Sequence, residues 1–313
     1  MVERFSSDEI CAQLALLNAF FREQVTGDYV YLDVPGYWNV GDHLIALGAF
    51  ELLKKLPYRC KMKCTIYGFR KTRIEKDTII LLQGGGNFGD LYPGANWFRN
   101  EIVRNFPDNK IIFLPQTITY KDASLIAEDV MICSKHRNLH ICARDIPSFE
   151  ILNAHFSTNN LYLLPDTAFG LYDILQKSSG MSTKELIIQR IDFELAEPWS
   201  IKGAHVKDWN EILAELRFSF LLFPLKALNK VKKITHIHYF AWLKNKYQMS
   251  VIEPFILRKI PAYFLQYGTI RTTRLHGLIL ATMLHIPVEW KDTKYGKISG
   301  YLRTWFPLEY ERK

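Results

Sequence analysis

Residues 77–86, DTIILLQGGG, decide the fold of this chain: four consecutive apolar residues run into three glycines. A short apolar run that stops at a glycine turn is typical of a strand buried on both faces of a parallel sheet. Similar runs recur at 28–35 (DYVYLDVP), 110–117 (KIIFLPQT), 139–145 (LHICARD) and 161–166 (LYLLPD), with helix-like segments at 42–56, 121–134 and 147–156. This alternation predicts a doubly wound α/β sheet.

The pattern breaks into small polar residues within 171–184 and then restarts. It continues with a strand at 184–190 (KELIIQR), a helix-like segment at 251–267, a strand, turn and helix in 268–284 (GTIRTTRLHGLILATML) and a strand at 286–290 (IPVEW). A chain of 313 residues is long enough for two cores. We therefore expect two Rossmann-like domains, 1–178 and 179–313, whose parallel sheets face a cleft, with the last helix packing back on the first domain.

Composition excludes disorder and leaves several classes of partner open. The chain is 48% hydrophobic and carries a net charge of +8, which favours anionic partners. No nucleic-acid-binding motif is present, so nucleic acid is not expected. The basic, aromatic stretch 216–246 has two interpretations: a peripheral contact with an anionic membrane, or aromatic packing within the second domain with solvated lysines.

The cysteines and apolar runs indicate a cytoplasmic protein, at most peripheral at the inner face of the membrane. The five cysteines form neither a disulfide framework nor a zinc set, so we expect no metal, and free thiols suit a reducing compartment. The longest apolar runs fall short of the roughly 18 residues that span a bilayer.

Several loops at predicted strand ends carry polar residues. In GYWNVGDHLIALG (36–48), Asn39, Gly41 and Asp42 precede a helix, and Asp42 either caps that helix or belongs to a site. In LQGGGNFGDLYPG (82–94), the glycines let backbone approach a ligand, or simply form a tight turn. Neither a dinucleotide fingerprint nor a Walker A loop is present, so no nucleotide cofactor is indicated.

Cations concentrate at two further strand ends. Arg144 ends the predicted strand 139–145, where a buried Arg–Asp pair is the alternative to a site role. Arg274 and His276 lie where a strand meets a helix N-terminus, whose free N–H groups already favour an anion. Stacked cations at that point would cost stability unless an anion binds, whereas strand alternation turns Arg271 to the other face. These features predict a site for a small, doubly anionic substrate.

Seven stretches in this order resemble the polysaccharide pyruvyl transferase family, in its bacterial exopolysaccharide branch. They are GYWNVGDHLIALGAFELL (36–53), LLQGGGNFGDLYPG (81–94), IIFLPQTI (111–118), CARDIPSFEIL (142–152), YLLPDTAF (162–169), RTTRLHGLILATMLHIPV (271–288) and YGKISGYL (295–302). The resemblance spans about residues 28–302, except for 198–250, which does not match the family's usual second-domain strands.

The resemblance implies a GT-B-like fold and an enzyme that moves the pyruvate unit of phosphoenolpyruvate onto two hydroxyls of a sugar, as a cyclic ketal, releasing phosphate. It implies a donor site at Arg144, Arg274, Leu275, His276 and Lys297. His276 is then the expected general acid, and Asp42 of the facing domain the expected base. Supporting loop positions are Asn39, Gly41, Gly84, Gly85, Gly86, Asn87 and Gln116.

The expected partners are phosphoenolpyruvate as donor and a sugar or lipid-linked oligosaccharide as acceptor, with no cofactor. Two alternatives stay open at this point. One is a GT-B glycosyltransferase that uses a nucleotide sugar, although the second domain shows no convincing ribose-binding acidic residue. The other is a non-catalytic scaffold of a polysaccharide assembly complex.

Overall fold

The first sheet has seven parallel strands, in a computed structural model that describes residues 4–69, 74–180, 182–200, 206–218, 220–221, 243 and 246–307. The strands are β1 (Tyr29–Leu32), β2 (Cys60–Cys64), β3 (Ile79–Leu82), β4 (Gly85–Gly89), β5 (Ile111–Thr119), β6 (Leu139–Ala143) and β7 (Asn160–Leu163). Their order is β2-β1-β3-β5-β6-β7, with β4 paired to β5.

Helices cover both faces of this sheet. They are α1 (Ser7–Gln24), α2 (Val40–Leu53), α3 (Pro93–Asn105), α4 (Ser124–Cys133) and α5 (Ile146–His155), with 3-10 helices at Ile66–Gly68 and Thr167–Ile174. Alternate residues of β1 join two separate cores: Tyr29 and Tyr31 pack with α1 and α2, whereas Val30 and Leu32 pack with α3, α4 and α5. The strands are thus buried on both faces, as their apolar runs predict.

The second sheet has four parallel strands in the order β11-β10-β8-β9. The strands are β8 (Glu185–Ile188), β9 (Val206–Lys207), β10 (Thr269–Thr272) and β11 (Val288–Trp290). The helices are α6 (Trp209–Glu215), a π-helix at Gln248–Ile252, α7 (Glu253–Phe264), α8 (Leu275–Met283) and α9 (Lys297–Trp305). The chain crosses from one sheet to the other within 175–184.

Helix α9 returns to the first domain and packs beside α5. The Oγ1 of Thr304 accepts a hydrogen bond from the backbone N–H of Ile146 at 2.9 Å, and the indole N–H of Trp305 donates to the backbone carbonyl of Arg144 at 2.8 Å. The Tyr301 hydroxyl donates to Gln13 of α1 at 2.9 Å. The C-terminal helix therefore braces the strand end that carries Arg144.

Some local expectations were wrong or cannot be assessed. The glycine run at 84–86 was expected to be a turn, but Gly85 begins β4, because the chain leaves β3 and pairs at once with β5. Most of the stretch 198–250, including nearly all of the basic segment 216–246, lies outside the described residues. In the part of the chain that the structure describes, no helix is both long and apolar enough to cross a membrane.

Glu253, at the start of α7, should make stability depend on pH. Burial raises the pKa of this carboxyl to about 7, and Lys63 and Lys54 only partly offset the burial. Between about pH 4.5 and 7 the folded chain keeps a proton that the unfolded chain has released, so stability falls as pH rises. We expect Glu253→Gln to remove this cost, about 3 kcal/mol above pH 7.

Urea unfolding of native and Glu253→Gln chains at pH 5 and pH 8 measures this effect. The difference in unfolding free energy between the two chains should be larger at pH 8. The matched control is Glu150→Gln, since Glu150 is exposed on α5. An equal difference at both pH values would show that Glu253 does not titrate in this range.

Candidate functional site

A cavity of about 1130 Å³ lies where the carboxyl ends of the two sheets meet, and loops of both sheets line it. Its walls come from the loops that follow β1, β2, β4, β6, β8 and β10 and from the first residue of α9. This is the position at which open parallel sheets bind ligands, because loops from several strands converge there. The cavity is therefore the candidate active site.

Asp166, which is buried behind the cavity lining, links Arg144 and His276, two residues that line the cavity. Its Oδ2 accepts from Nη1 of Arg144 at 2.7 Å and lies 3.2 Å from Nε2 of His276, which belongs to the other domain. Burial alone would raise the pKa of Asp166, but His276 and Arg144 together hold it well below its usual value. The carboxylate can thus only accept, so Nε2 of His276 carries the hydrogen and donates it.

Two cationic nitrogens converge above Gly86. A Cβ at this position would lie 3.2 Å from Nη2 of Arg144 and 3.2 Å from Nζ of Lys297. Arg144 uses Nε for Thr117 (2.8 Å) and Nη1 for Asp166, which leaves Nη2 directed at this point. Burial lowers the pKa of Lys297, although Glu194 at 2.7 Å offsets part of this effect. The missing side chain leaves room for an anion to contact both cations.

Gly86→Ala should weaken donor binding while leaving the fold intact. Its Cβ would occupy the space between Arg144 and Lys297, and we expect about a tenfold loss of affinity for an anionic substrate, or about 1.4 kcal/mol. Gly94→Ala is the matched control, because a Cβ at Gly94, at the start of α3, meets nothing within 4 Å. Calorimetric titration with phosphoenolpyruvate compares the two variants. Equal affinities would show that the space above Gly86 is not used.

Arg274 lies at the cavity but is not the unpaired cation that its sequence position suggests. Its Nε donates to Asp208 at 2.8 Å, its Nη2 also contacts Asp208, and Nη1 lies 3.3 Å from Asp192. Two carboxylates of the protein compensate Arg274, so the expectation that the cations at this helix end need a bound anion is wrong for Arg274. Leu275, buried beside it, also lines the cavity.

Arg271 points away from the cavity, as strand alternation predicts. It lies on β10 between two neighbouring strands, and its guanidinium bonds Glu185 of β8 at 2.6 Å and Glu289 of β11 at 2.7 Å. Arg271 thus forms ion pairs across the sheet and does not line the cavity.

Asn39, just before α2, and Asp42, in its first turn, also line the cavity. Asn39, and not Asp42, caps α2: its side chain accepts from the Gly41 N–H at 3.1 Å. Its Nδ2 also donates to Asp42 at 2.7 Å, which leaves the Asp42 carboxylate facing the cavity. Gly41 lies under the imidazole of His276, where a Cβ would come within 2.5 Å of Nδ1. The start of α2 therefore positions the imidazole from below.

Of the remaining predicted loop positions, one lines the cavity and three lie behind it. Asn87 lines the cavity and accepts from Nη1 of buried Arg99 through its backbone carbonyl at 2.8 Å. Gly84, Gly85 and Gln116 do not line it. Gln116 bridges β5 to the end of β3 by donating to the carbonyl of Gln83 at 2.5 Å. Gly84 lets the backbone of Pro115 approach closely, since a Cβ there would lie 2.8 Å from its carbonyl oxygen, and Gly85 has a positive φ of 123° that favours glycine.

Several cavity residues were not predicted from the sequence. Arg190 lies two residues after β8, so the rule that found Arg144 could have found it; the same holds for Asp166, which lies three residues after β7 and supports the cavity without lining it. Glu194, which contacts both Arg190 (3.0 Å) and Lys297, lies in an irregular stretch without such a signal. Asp33 follows β1; burial raises its pKa to about 7 despite Arg99 nearby, and its Oδ2 has no hydrogen-bond partner among the described residues.

The fold and the cavity define a parallel α/β protein in which arginine, lysine and histidine side chains converge where the loops of two sheets meet. The family model for polysaccharide pyruvyl transferase matches residues 39–289. The chain therefore belongs to the polysaccharide pyruvyl transferase family, and the match covers the loops of the cavity from Asn39 to Arg274 and His276.

Individual relatives agree with this placement. EpsO of Bacillus subtilis (strain 168), which carries the name of a pyruvyl transferase, is 34% identical over 282 residues, covering 89% of this chain and 85% of that protein. Pyruvyl transferase 1 of Schizosaccharomyces pombe is 27% identical over 320 residues, covering 95% and 74%. A crystal structure of a functionally uncharacterised Klebsiella pneumoniae protein, 18% identical, shares the fold with a TM-score of 0.60 over 93% of each chain.

Proposed function

We propose that this transferase takes the pyruvate unit from phosphoenolpyruvate and places it on two hydroxyls of a sugar in an exopolysaccharide or capsule precursor, as a cyclic ketal, releasing phosphate. The two sheets would act as the halves of a GT-B-like cleft, with the acceptor on the N-terminal side. The observation that supports this proposal best is the convergence of Arg144 and Lys297 above Gly86, beside His276.

The donor carries a carboxylate and a phosphate a few ångströms apart. The free Nη2 of Arg144 and the ammonium of Lys297 are placed to contact one of these groups, because both nitrogens reach the same point. Arg190 lies on the C-terminal side of the cavity, beside Glu194. Arg274 is positioned to assist once its contacts with Asp192 and Asp208 rearrange.

The first chemical step adds a proton to the methylene carbon, which gives the adjacent carbon oxocarbenium character. His276 is the proposed acid, with Asp166 orienting its ring through Nε2. One sugar hydroxyl attacks this carbon, phosphate leaves, and the second hydroxyl attacks to close the ketal ring. Of the two hydroxyl protons released, one ends on the new methyl group and one on the phosphate. No step as written uses a metal or a nucleotide.

Asp42 is the proposed base for the attacking hydroxyl. It lines the cavity and its carboxylate is held by Asn39, so it is placed to reach the hydroxyl of a sugar bound there. Asp42→Asn would keep this hydrogen-bonding shape but remove the base.

The test of the function is phosphate release from phosphoenolpyruvate with a panel of pyranosides, followed by NMR of the product. Acceptor-dependent release together with a new methyl signal on a ketal carbon supports the proposal. Donor binding without release from any acceptor, or release of nucleotide from a sugar nucleotide instead, would move the assignment to the scaffold or to the nucleotide-sugar glycosyltransferase.

A further inference from the structure

Four exposed aromatic side chains line the N-terminal side of the cavity. Tyr37, Tyr67, Tyr92 and Trp97 are 44%, 76%, 39% and 60% exposed, and they come from the loops after β1, β2 and β4 and from α3. Large aromatic residues are costly to leave in water, so a group of them at one cavity marks a binding surface.

The two most exposed of these residues, Tyr67 and Trp97, lie outside both hydrophobic cores. Among the described residues, the side chains of Tyr67 and Trp97 make no hydrogen bond or ring contact. Phe98, the next residue along α3, instead turns into the core and is 4% exposed. Trp97 thus faces the cavity on a helix whose apolar face is already filled.

The cavity is larger than its proposed donor requires. At about 1130 Å³ it exceeds the roughly 300–1,000 Å³ that pockets for drug-sized ligands occupy, whereas phosphoenolpyruvate is much smaller. The lysine and arginine residues described in its lining are Arg144, Arg190, Arg274 and Lys297. None of these lies in the loops that carry the four aromatic residues, so the remaining space suits an uncharged ligand.

We infer that Tyr37, Tyr67, Tyr92 and Trp97 form an extended acceptor subsite that stacks against the pyranose rings of an oligosaccharide. This inference rests on the proposed function, since the cations mark the end at which the accepting sugar reacts. The C–H face of a pyranose is apolar and fits the negative face of an aromatic ring, while the Tyr67 hydroxyl, which bonds none of the described residues, suits a sugar hydroxyl. A lipid chain would place its apolar surface against the carboxylates of Asp33 and Asp42, which line the same cavity.

The experiment measures affinity against acceptor length with the full chain. The probes are methyl glycosides and the matching di-, tri- and tetrasaccharides of β-linked gluco- and galacto-series, with octyl glucoside as an apolar probe. Ligand-observed NMR gives each Kd, and phosphate release is followed in parallel. We expect affinity to rise about tenfold with each ring that stacks, up to three rings, in at least one series.

Trp97→Ala and Tyr67→Ala should each remove most of this gain without lowering Tm, because neither residue is packed in the core. Phe220→Ala is the matched control, since Phe220 is 74% exposed and outside the cavity lining. Affinity independent of length in every series, or an equal gain with octyl glucoside, overturns the inference. Affinity that rises with acceptor length, without phosphate release, would support the acceptor subsite but reject the proposed reaction.

Discussion

His276→Gln should lower acceptor-dependent phosphate release by about 10²- to 10⁴-fold. Glutamine can still donate a hydrogen bond to Asp166, so the fold and the Arg144 side chain should stay in place, whereas the acid that protonates the donor is lost. The measurement is the initial rate of phosphate release at saturating phosphoenolpyruvate, with calorimetry to check that the donor still binds.

His285→Asn is the matched control for this experiment. His285 accepts or donates a hydrogen bond with the hydroxyl of Tyr172 at 2.9 Å and does not line the cavity, so its replacement should leave the rate unchanged. Asparagine also tolerates the positive φ of 57° that His285 adopts. A rate close to that of the native chain in His276→Gln would reject the general-acid role.

Arg144→Ala should lower the free energy of unfolding by about 3–5 kcal/mol and abolish donor binding. The guanidinium is buried and paired with Asp166, which would be left as a buried carboxylate with one of its partners removed. Denaturant unfolding and calorimetric titration with phosphoenolpyruvate measure the two effects. If the variant is not recovered folded, Arg144→Met with Asp166→Asn removes the stranded charge, and its donor binding is measured instead.

Arg271→Ala provides the matched arginine control. Arg271 also bonds two carboxylates, but its side chain is 21% exposed and one partner, Glu185, is 47% exposed. Its loss should cost at most about 1 kcal/mol and leave donor binding unchanged. An equal loss of unfolding free energy in Arg144→Ala and Arg271→Ala would show that burial does not increase the contribution of Arg144 to stability. Intact donor binding in Arg144→Ala would reject the proposed donor site.

The buried strands could be predicted because their signal is local. β1, β3, β5, β6 and β7 are short apolar runs, and the helix boundaries followed within a few residues. β2, CKMKC, gave no such signal, because an edge strand with partly exposed side chains has no continuous apolar run. β4 was hidden because glycine favours neither a strand nor a helix.

The pairing of charges could not be predicted because the partners are distant in sequence. Arg274 meets Asp208 and Asp192 across 66 and 82 residues, and both carboxylates lie outside the helices and strands. Asp166 contacts His276 across 110 residues. The sequence could place cations at strand ends, but whether an anion of the protein or of a substrate neutralises them depends on the tertiary fold.

The return of α9 to α5 means that the chain passes between the two sheets twice, within 175–184 and again between β11 and α9. Two such connections would restrict any opening of the cleft to a rotation, because neither sheet could move away freely. Such a rotation would pull His276 from Asp166 and Lys297 from Glu194 in a single movement. The movement that releases the product would then also separate the residues that carry out the reaction.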